Sequence, residues 1–156
     1  MRLHVCAVGR LRAGPERDLF DDYSRRFERT GRSLGLGPIL EHEVESRKGG
    51  GAAAEAELLS RAIPEAATLV ALDEHGRPLS SPDFAAWIAA RRDAGRADLA
   101  FLIGGADGLA PALRDRADLA LSLGPMVWPH MLARVMLAEQ LYRAAQILAG
   151  TPYHRA

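Results

Sequence analysis

The sequence predicts an α/β fold, a mainly parallel sheet with flanking helices, and two observations predict it. Short apolar runs alternate along the chain with longer amphipathic stretches, the pattern of strands separated by helices. The short runs are apolar at nearly every position, as in strands that are covered on both faces. With 156 residues, 48% of them hydrophobic, the chain is long enough for a sizeable core. We expect a single domain over residues 1–156.

The first half of the chain predicts two strands and two helices. The predicted elements are a strand over Arg2–Val8, a helix over Pro15–Arg29, a strand over Ile39–Val44 and a helix over Ala52–Ile63. Glycine and proline between these segments mark the turns. The spacing of large apolar residues predicts that the first helix has an inner side formed by Leu19, Phe20, Tyr23 and Phe27.

The second half continues the alternation of strands and helices. The predicted elements are strands over Thr68–Leu72, Leu99–Ile103 and Leu119–Leu123, a helix over Asp83–Ala94 and a final helix over residues 130–149. Ser81 and Pro82 suit the N-cap and the first position of the helix that follows them.

Three loops follow predicted strands, and each contains glycine, proline or both. They are Leu72–Ser81, Gly104–Leu109 and Leu123–Pro129. Parallel sheets bind ligands beyond the carboxyl ends of their strands, so these loops are candidate binding loops. None of them is a G-x-G-x-x-G or Walker A loop, and a plain turn would equally explain Gly104 and Gly105.

The final predicted helix has an unusual distribution of charge. Glu139, Arg143 and Gln146 fall on one side, whereas His130 and Arg134 fall on the opposite, apolar side. A charge on a side built for burial is costly unless it is paired or contacts a ligand. Alternatively, His130 simply begins the helix and the Arg134 side chain reaches past the edge of the core to water.

The polar tail after this helix is a second candidate site. Gly150 and Pro152 suit a helix end, and the residues Tyr153, His154, Arg155 and Ala156 follow. A phenol, an imidazole and a guanidinium in succession form a useful set of donors and acceptors if the tail folds over a pocket. Chain ends are otherwise usually frayed.

Charge and cysteine content argue against several classes of protein. Twenty basic and twenty acidic side chains give a net charge of zero, so overall charge does not indicate nucleic-acid or membrane binding. The single Cys6 cannot form an internal disulfide, and we expect no metal site. No segment resembles a targeting signal or a membrane span, so we expect a cytoplasmic protein.

Contact with RNA would need a local patch of basic side chains. The candidates are Arg10, Arg12, Arg25, Arg26 and Arg29, although these residues also suit a solvated helix face.

Four motifs in the same order identify a family resemblance. The segments LDEHGRPLSS, LIGGADGL, WPHMLARVMLAEQLYRA and PYHR resemble the RlmH-type large-subunit ribosomal RNA pseudouridine-N3 methyltransferases, members of the SPOUT class. The resemblance spans essentially the whole chain. It implies S-adenosylmethionine as cofactor, ribosomal RNA within the ribosome as substrate, a C-terminal trefoil knot and a homodimer. The knot is an exception to the rule that protein chains avoid threading.

The resemblance also implies a set of site residues. The cofactor-binding residues would be Leu72, Gly104, Gly105, Leu123, Gly124, Pro125, Met126, Val127 and Trp128. Because N3 of a uracil-type base must lose a proton before it attacks a methyl group, a general base is needed, and His130 and His154 are the candidates. Arg134 or Arg155 would stabilise the negative charge left on the base, and Tyr153 would stack on it or hydrogen-bond to it.

Two alternatives come from other functional classes. A nucleotide-binding module without catalysis would use the same glycine loops, but it would leave the PYHR tail without a role. A dimeric interaction protein would explain the apolar final helix and leave the strand-end loops unused.

Overall fold

The computed structural model describes residues 1–46 and 49–155, so Ala156, the last residue of the predicted tail, lies outside the described part. Five strands alternate with helices along the chain. The strands are β1 (Arg2–Val8), β2 (Ile39–Val44), β3 (Thr68–Pro78), β4 (Asp98–Ile103) and β5 (Leu119–Ser122). The helices are α1 (Pro15–Gly31), α2 (Gly51–Ala62), α3 (Ser81–Asp93), α4 (Pro111–Asp115) and α5 (His130–Leu148).

The five strands form one sheet in the order β2-β1-β4-β3-β5. All four neighbouring pairs are parallel, so the predicted parallel α/β sheet is confirmed. Strand β4 is buried at all six positions, which explains the continuous apolar run Leu99–Ile103. The carboxyl ends of β3, β4 and β5 therefore meet at one edge of the sheet.

Helices cover both faces of the sheet. On one face, α1, α3 and α5 enclose a core that includes Phe20, Phe27, Phe84, Phe101 and Leu137. On the other face, α2 and α4 enclose a smaller core that includes Cys6, Leu59, Leu69, Leu102 and Leu113. Among the described residues, no helix has both the length and the hydropathy that a membrane span requires.

Strand β3 is longer than the sequence predicts. It continues beyond Leu72 to Pro78, and Leu72 and Arg77 both pair with Leu121 of β5. The intervening residues therefore bulge out of the ladder. At Gly76, a Cβ would stand 2.6 Å from the carbonyl oxygen of Ala120, so only glycine fits beside β5. Residues 73–78 are mostly polar and partly exposed, so their sequence does not predict a strand. This part of β3 pairs only with β5.

The inner side of α1 differs from the prediction at one position. Phe20 and Phe27 are buried as predicted and Tyr23 packs against the core, but Leu19 is 45% exposed. The Leu19 side chain lines a cavity of about 650 Å³ between α1, α3 and α5. The position of a side chain on a helix wheel does not reveal whether neighbouring helices close over it.

Helix α5 is buried on more than one side because it lies between α1 and α3. Gln146, predicted to be on the polar side, is 8% exposed and donates a hydrogen bond to Thr30 Oγ1 of α1 at 2.7 Å. Gln140 accepts a hydrogen bond from Ser81 at the start of α3, also at 2.7 Å. Polar side chains of α5 thus join it to both neighbouring helices.

Candidate functional site

A cavity of about 820 Å³ opens at the carboxyl ends of β3, β4 and β5. Eight of the nine predicted cofactor-binding residues line it, and Pro125 is the exception. The eight are Leu72, Gly104, Gly105, Leu123, Gly124, Met126, Val127 and Trp128. His130, the first residue of α5, also lines this cavity. The bulge of β3 and the loops after β4 and β5, which are distant in sequence, therefore meet where the parallel sheet predicts a ligand site.

The glycine loop after β4 is tight because the chain folds closely on itself. The N–H of Gly108 donates to the carbonyl of Gly105 at 3.0 Å. A Cβ on Gly104 would stand 2.4 Å from the carbonyl carbon of Gly108, a distance that no side chain tolerates. Glycine at position 104 is required by this backbone contact whether or not a ligand is present.

The loop between β5 and α5 gives the cavity an apolar and exposed rim. Met126, Val127 and Trp128 are 69%, 79% and 42% exposed. Met131 and Leu132 extend the exposed apolar surface into the first turn of α5. Contiguous apolar surface of this kind marks a site for a ligand or for another protein surface.

Sequence reasoning missed an ion pair in the wall of the cavity. Arg114 of α4 donates to Asp73 at 3.2 Å, and Asp73 accepts a second hydrogen bond from the N–H of His75 at 2.8 Å. Burial alone would raise the pKa of Asp73, but these two donors lower it below its ordinary value. Asp73 belongs to the LDEH segment, whereas Arg114 lies on a five-residue helix without a clear sequence signal.

His130 lies beside the end of β1. Its Nε2 is 3.5 Å from the position that a Cβ on Gly9 would occupy. A Cβ at position 9 would thus make an ordinary van der Waals contact with the imidazole, and the positive φ of 86° is what favours glycine there. This contact places the loop after β1, which contains Arg10 and Arg12, next to the cavity that His130 lines.

Arg134 is held inside the protein rather than at the cavity surface. Its side chain is 0% exposed and pairs with Glu43 at 2.7 Å and Glu41 at 3.0 Å, both on β2. It also donates to the carbonyl of Gly9 at 3.1 Å. The predicted contact between Arg134 and a substrate is corrected by this arrangement, because the guanidinium is enclosed by carboxylates and backbone.

The carboxylates around Arg134 are shared with a second arginine. Arg17 of α1 pairs with Glu41 at 2.8 Å and approaches Glu43 at 3.5 Å. Burial by itself would raise the pKa of Glu43, but a hydrogen bond from the N–H of Leu11 and the contact with Arg134 lower it. The cluster therefore connects α1, β2, α5 and the loop after β1, about one helical turn from His130.

The tail packs on the middle of α5. The Tyr153 hydroxyl donates to Glu139 at 3.0 Å, and its ring lies 4.6 Å from that of Tyr142. His154 Nδ1 is 3.5 Å from Arg143 Nη1, and Arg155 is exposed. Burial, followed by the bond to Glu139, raises the pKa of Tyr153 to about 12. The tail is thus anchored by Tyr153 and presents Arg155 to solvent.

The tail and His130 lie at different places along the same helix. Glu139 follows His130 by nine residues, which corresponds to about 14 Å at about 1.5 Å per residue. None of the described tail residues lines the cavity that contains His130. Within this chain, the two groups of predicted catalytic residues are therefore separate.

Comparison with known families identifies the class to which this protein belongs. The family model described as "Predicted SPOUT methyltransferase" matches residues 1–154. The chain belongs to the SPOUT methyltransferase family. The family resemblance inferred from the four sequence motifs is thereby confirmed, and the cavity at the strand ends is the candidate active site of a SPOUT methyltransferase.

Individual relatives match this SPOUT chain over its whole length. A protein from Dinoroseobacter shibae named ribosomal RNA large subunit methyltransferase H is 70% identical over 155 residues, which cover 99% of each chain. A protein of the same name from Cereibacter sphaeroides is 71% identical, again over 99% of each chain. A Legionella pneumophila methyltransferase solved with S-adenosylmethionine superposes with a TM-score of 0.47 at 14% identity, over 95% of this chain and 66% of the other.

Proposed function

We propose that this protein transfers a methyl group from S-adenosylmethionine to N3 of a pseudouridine in large-subunit ribosomal RNA, acting on the assembled ribosome in the cytoplasm. One observation carries the proposal: eight predicted cofactor residues converge with His130 on one cavity at the sheet edge. Relatives about 70% identical over the full chain are named as methyltransferases of large-subunit ribosomal RNA, which supports the substrate class. The proposal includes the trefoil knot that is typical of the family.

The cavity suits S-adenosylmethionine in size and chemistry. Its volume of about 820 Å³ is typical of small-molecule sites. Backbone amides and carbonyls around Gly104 and Gly124 can hydrogen-bond the edge of an adenine, and Leu72, Met126 and Trp128 provide apolar walls. When bound, the cofactor supplies a methyl group that is already activated by its positive sulfur. The protein must therefore supply alignment and remove the proton from N3.

Three side chains are suited to the chemistry at the target base. The imidazole of His130 or of His154 can accept the N3 proton. The exposed guanidinium of Arg155 can stabilise the negative charge that remains on the carbonyl oxygens of the base. Arg134 does not have this role in the proposal because its side chain is enclosed. The Tyr153 hydroxyl already donates to Glu139, so Tyr153 anchors the tail.

We propose further that the protein works as a homodimer in which the tail of one protomer lies over the cavity of its partner. Two observations support this arrangement. The tail packs about 14 Å along α5 from His130, and none of the described tail residues lines the cavity of its own chain. The rim formed by Met126, Val127 and Met131 offers exposed apolar surface for a second copy.

Methyl incorporation tests the proposal directly. Assembled ribosomes, isolated large subunits and protein-free ribosomal RNA, all lacking the modification, would be incubated with the protein and labelled S-adenosylmethionine. Nucleosides would then be separated and identified by mass spectrometry. We expect N3-methylated pseudouridine from assembled ribosomes. Cofactor binding without methyl transfer would favour a non-catalytic module, and a methyl group on another nucleoside would overturn the substrate assignment.

A further inference from the structure

Glu139 is the residue on which the contacts of the tail converge. Its Oε1 accepts hydrogen bonds from Arg143 Nη2 at 2.7 Å, Tyr153 Oη at 3.0 Å and Arg143 Nε at 3.1 Å. Its Oε2 accepts one from Gln140 Nε2 at 2.7 Å. The Glu139 side chain is 18% exposed, so these bonds form in partial shelter from water. Both oxygens of the Glu139 carboxylate therefore accept hydrogen bonds.

Arg143 links this carboxylate to two of the polar tail residues, Tyr153 and His154. Its guanidinium is held by two hydrogen bonds to Glu139, lies 4.9 Å from the centre of the Tyr153 ring and is 3.5 Å from His154 Nδ1. Among the described residues, every side-chain hydrogen bond of Tyr153 and His154 goes to Glu139 or Arg143. Without the carboxylate, Tyr153 would lose its hydrogen-bond acceptor, and Arg143, which contacts His154, would lose the group that holds it.

Chain ends are mobile unless specific contacts hold them, and catalysis requires fixed geometry. A carboxylate that binds an arginine through two hydrogen bonds gives a strong and directional contact. We propose that Glu139 is a positioning residue: its carboxylate, with Arg143, holds Tyr153 and His154 in the orientation that methyl transfer requires. This inference rests on the proposed function, and it adds a residue of α5 that acts through the tail rather than on the substrate.

The first test reads the contact without any activity. Absorbance titration of tyrosine would be compared between the protein and the variants E139Q and Y153F. Burial is the main cause of the raised pKa of Tyr153 and the hydrogen bond to Glu139 contributes next, so the transition near 12 should move part of the way toward the ordinary value of about 10 in E139Q. The same transition should be absent in Y153F. An unchanged titration in E139Q would overturn the inference, even if the protein proved to be an active methyltransferase.

The second test measures turnover on ribosomes. We expect E139Q to lower kcat about a hundredfold, with little change in the KM for S-adenosylmethionine or in Tm. Because both residues act through the tail, the double variant E139Q/Y153F should be no slower than the slower single variant. Additive losses accompanied by a lower Tm would indicate a merely structural role. Normal turnover by Y153F would also contradict the inference, and it does so whether or not E139Q folds.

A matched control exists on α2. Glu57 and Arg61 form a carboxylate–guanidinium pair with the same spacing of four residues, but both side chains are exposed and distant from the tail. The variant E57Q should leave both the titration and kcat unchanged. If the unmodified protein transfers no methyl group at all, the proposed function fails, whereas the titration still decides whether Glu139 holds Tyr153.

Discussion

The guanidinium of Arg134 is fully buried and forms ion pairs with Glu41 and Glu43 of β2. Removing the arginine would leave two partly buried carboxylates without their main partner, although Arg17 still contacts both. We expect Arg134→Met to reduce the free energy of unfolding by about 3 kcal/mol. Urea denaturation monitored by circular dichroism would measure the change.

The control for Arg134 is Arg26→Ala, because Arg26 pairs with Asp22 on the exposed side of α1 and should contribute little to stability. A variant of Arg134 that lost methyl transfer but kept full stability would contradict the structural role. It would return Arg134 to direct contact with the substrate.

At the level of single residues, the sequence best predicts the location of a residue where that location follows from a strand end or a helix start. His130 and the glycines of the strand-end loops were selected by type and position, and they do line the cavity. Asp73 and Arg114 were missed, since their pairing depends on a short helix that brings residues 41 positions apart together. Leu19 and Gln146 were assigned to the wrong environment because burial depends on neighbouring helices.

Among the loops, the segment after β4 gives the clearest prediction for cofactor binding. Gly104→Ala forces a methyl group against the backbone of Gly108, so the loop must shift and the cavity wall must change. We expect weaker binding of S-adenosylmethionine by calorimetry, by about tenfold or more. The control is Gly95→Ala, since Gly95 has a positive φ of 77° but lies before β4, at the opposite edge of the sheet. Equal affinity in the Gly104 variant would overturn the pocket assignment.

The C-terminal tail gives a prediction that separates catalysis from folding. A chain ending at Pro152 keeps every strand, α5 and the cavity, so dimer formation and cofactor binding should persist. Methyl transfer should fall about 10²–10⁴-fold, as it should for His154→Ala and Arg155→Ala separately. Tm should change little because few buried contacts disappear. Near-normal turnover by the shortened chain would assign catalysis to His130 alone.

The arginines near the start of the chain differ in their surroundings. Arg10 and Arg12 are exposed in the loop next to His130, where Arg10 approaches Glu45 at 3.8 Å, whereas Arg25 and Arg26 lie on α1 and both approach Asp22. We therefore expect the double change Arg10→Glu and Arg12→Glu to weaken ribosome binding more than the same change at Arg25 and Arg26. The salt dependence of binding should also become shallower, because fewer phosphate contacts form. Equal effects of the two pairs would contradict this assignment.

For the whole molecule, the parallel sheet could be predicted because each strand reads as a short buried run. The strand order β2-β1-β4-β3-β5 could not, since pairs such as β1 with β4 join residues about 96 positions apart. The position of the tail on α5 also depends on such contacts. Tyr153 reaches Glu139 because the turn at Gly150 folds the chain back on α5.

The edge of the sheet opposite the cavity contains a pH-sensitive cluster. His4 shares a hydrogen bond with His42 at 3.0 Å and another with Asp98 at 2.8 Å, and Arg2 binds Asp98 through two hydrogen bonds. Burial, with a contribution from His4, lowers the pKa of His42. The hydrogen bond from Arg2 is the main reason that the pKa of Asp98 is also lowered. Both shifts make the folded state resist protonation at this cluster.

These shifts predict that acid destabilises the protein in two ranges. As pH falls below about 6.5, the unfolded chain takes up a proton at His42 before the folded chain does, so stability falls. Stability due to Asp98 is present above about pH 4 and is lost as pH falls through its lowered pKa. Thermal unfolding at about pH 8 and about pH 5 should show a smaller difference in Tm for His42→Gln than for the unchanged protein. His75→Gln, at an 80% exposed position, should keep the full difference.

Helix α5 has 19 residues and holds His130 at its first position and the anchor of the tail, Glu139, at its tenth. If the tail of one protomer lies over the cavity of its partner, the spacing between these two positions helps to set the distance between the two active sites. Inserting one residue would advance the anchor by about 1.5 Å and rotate it by about 100°. Such a change would turn the tail away from its target even if the helix folded well. In the proposed dimer, the spacing between these two positions of α5 would be constrained by the surface of the second molecule as well as by the core of the first.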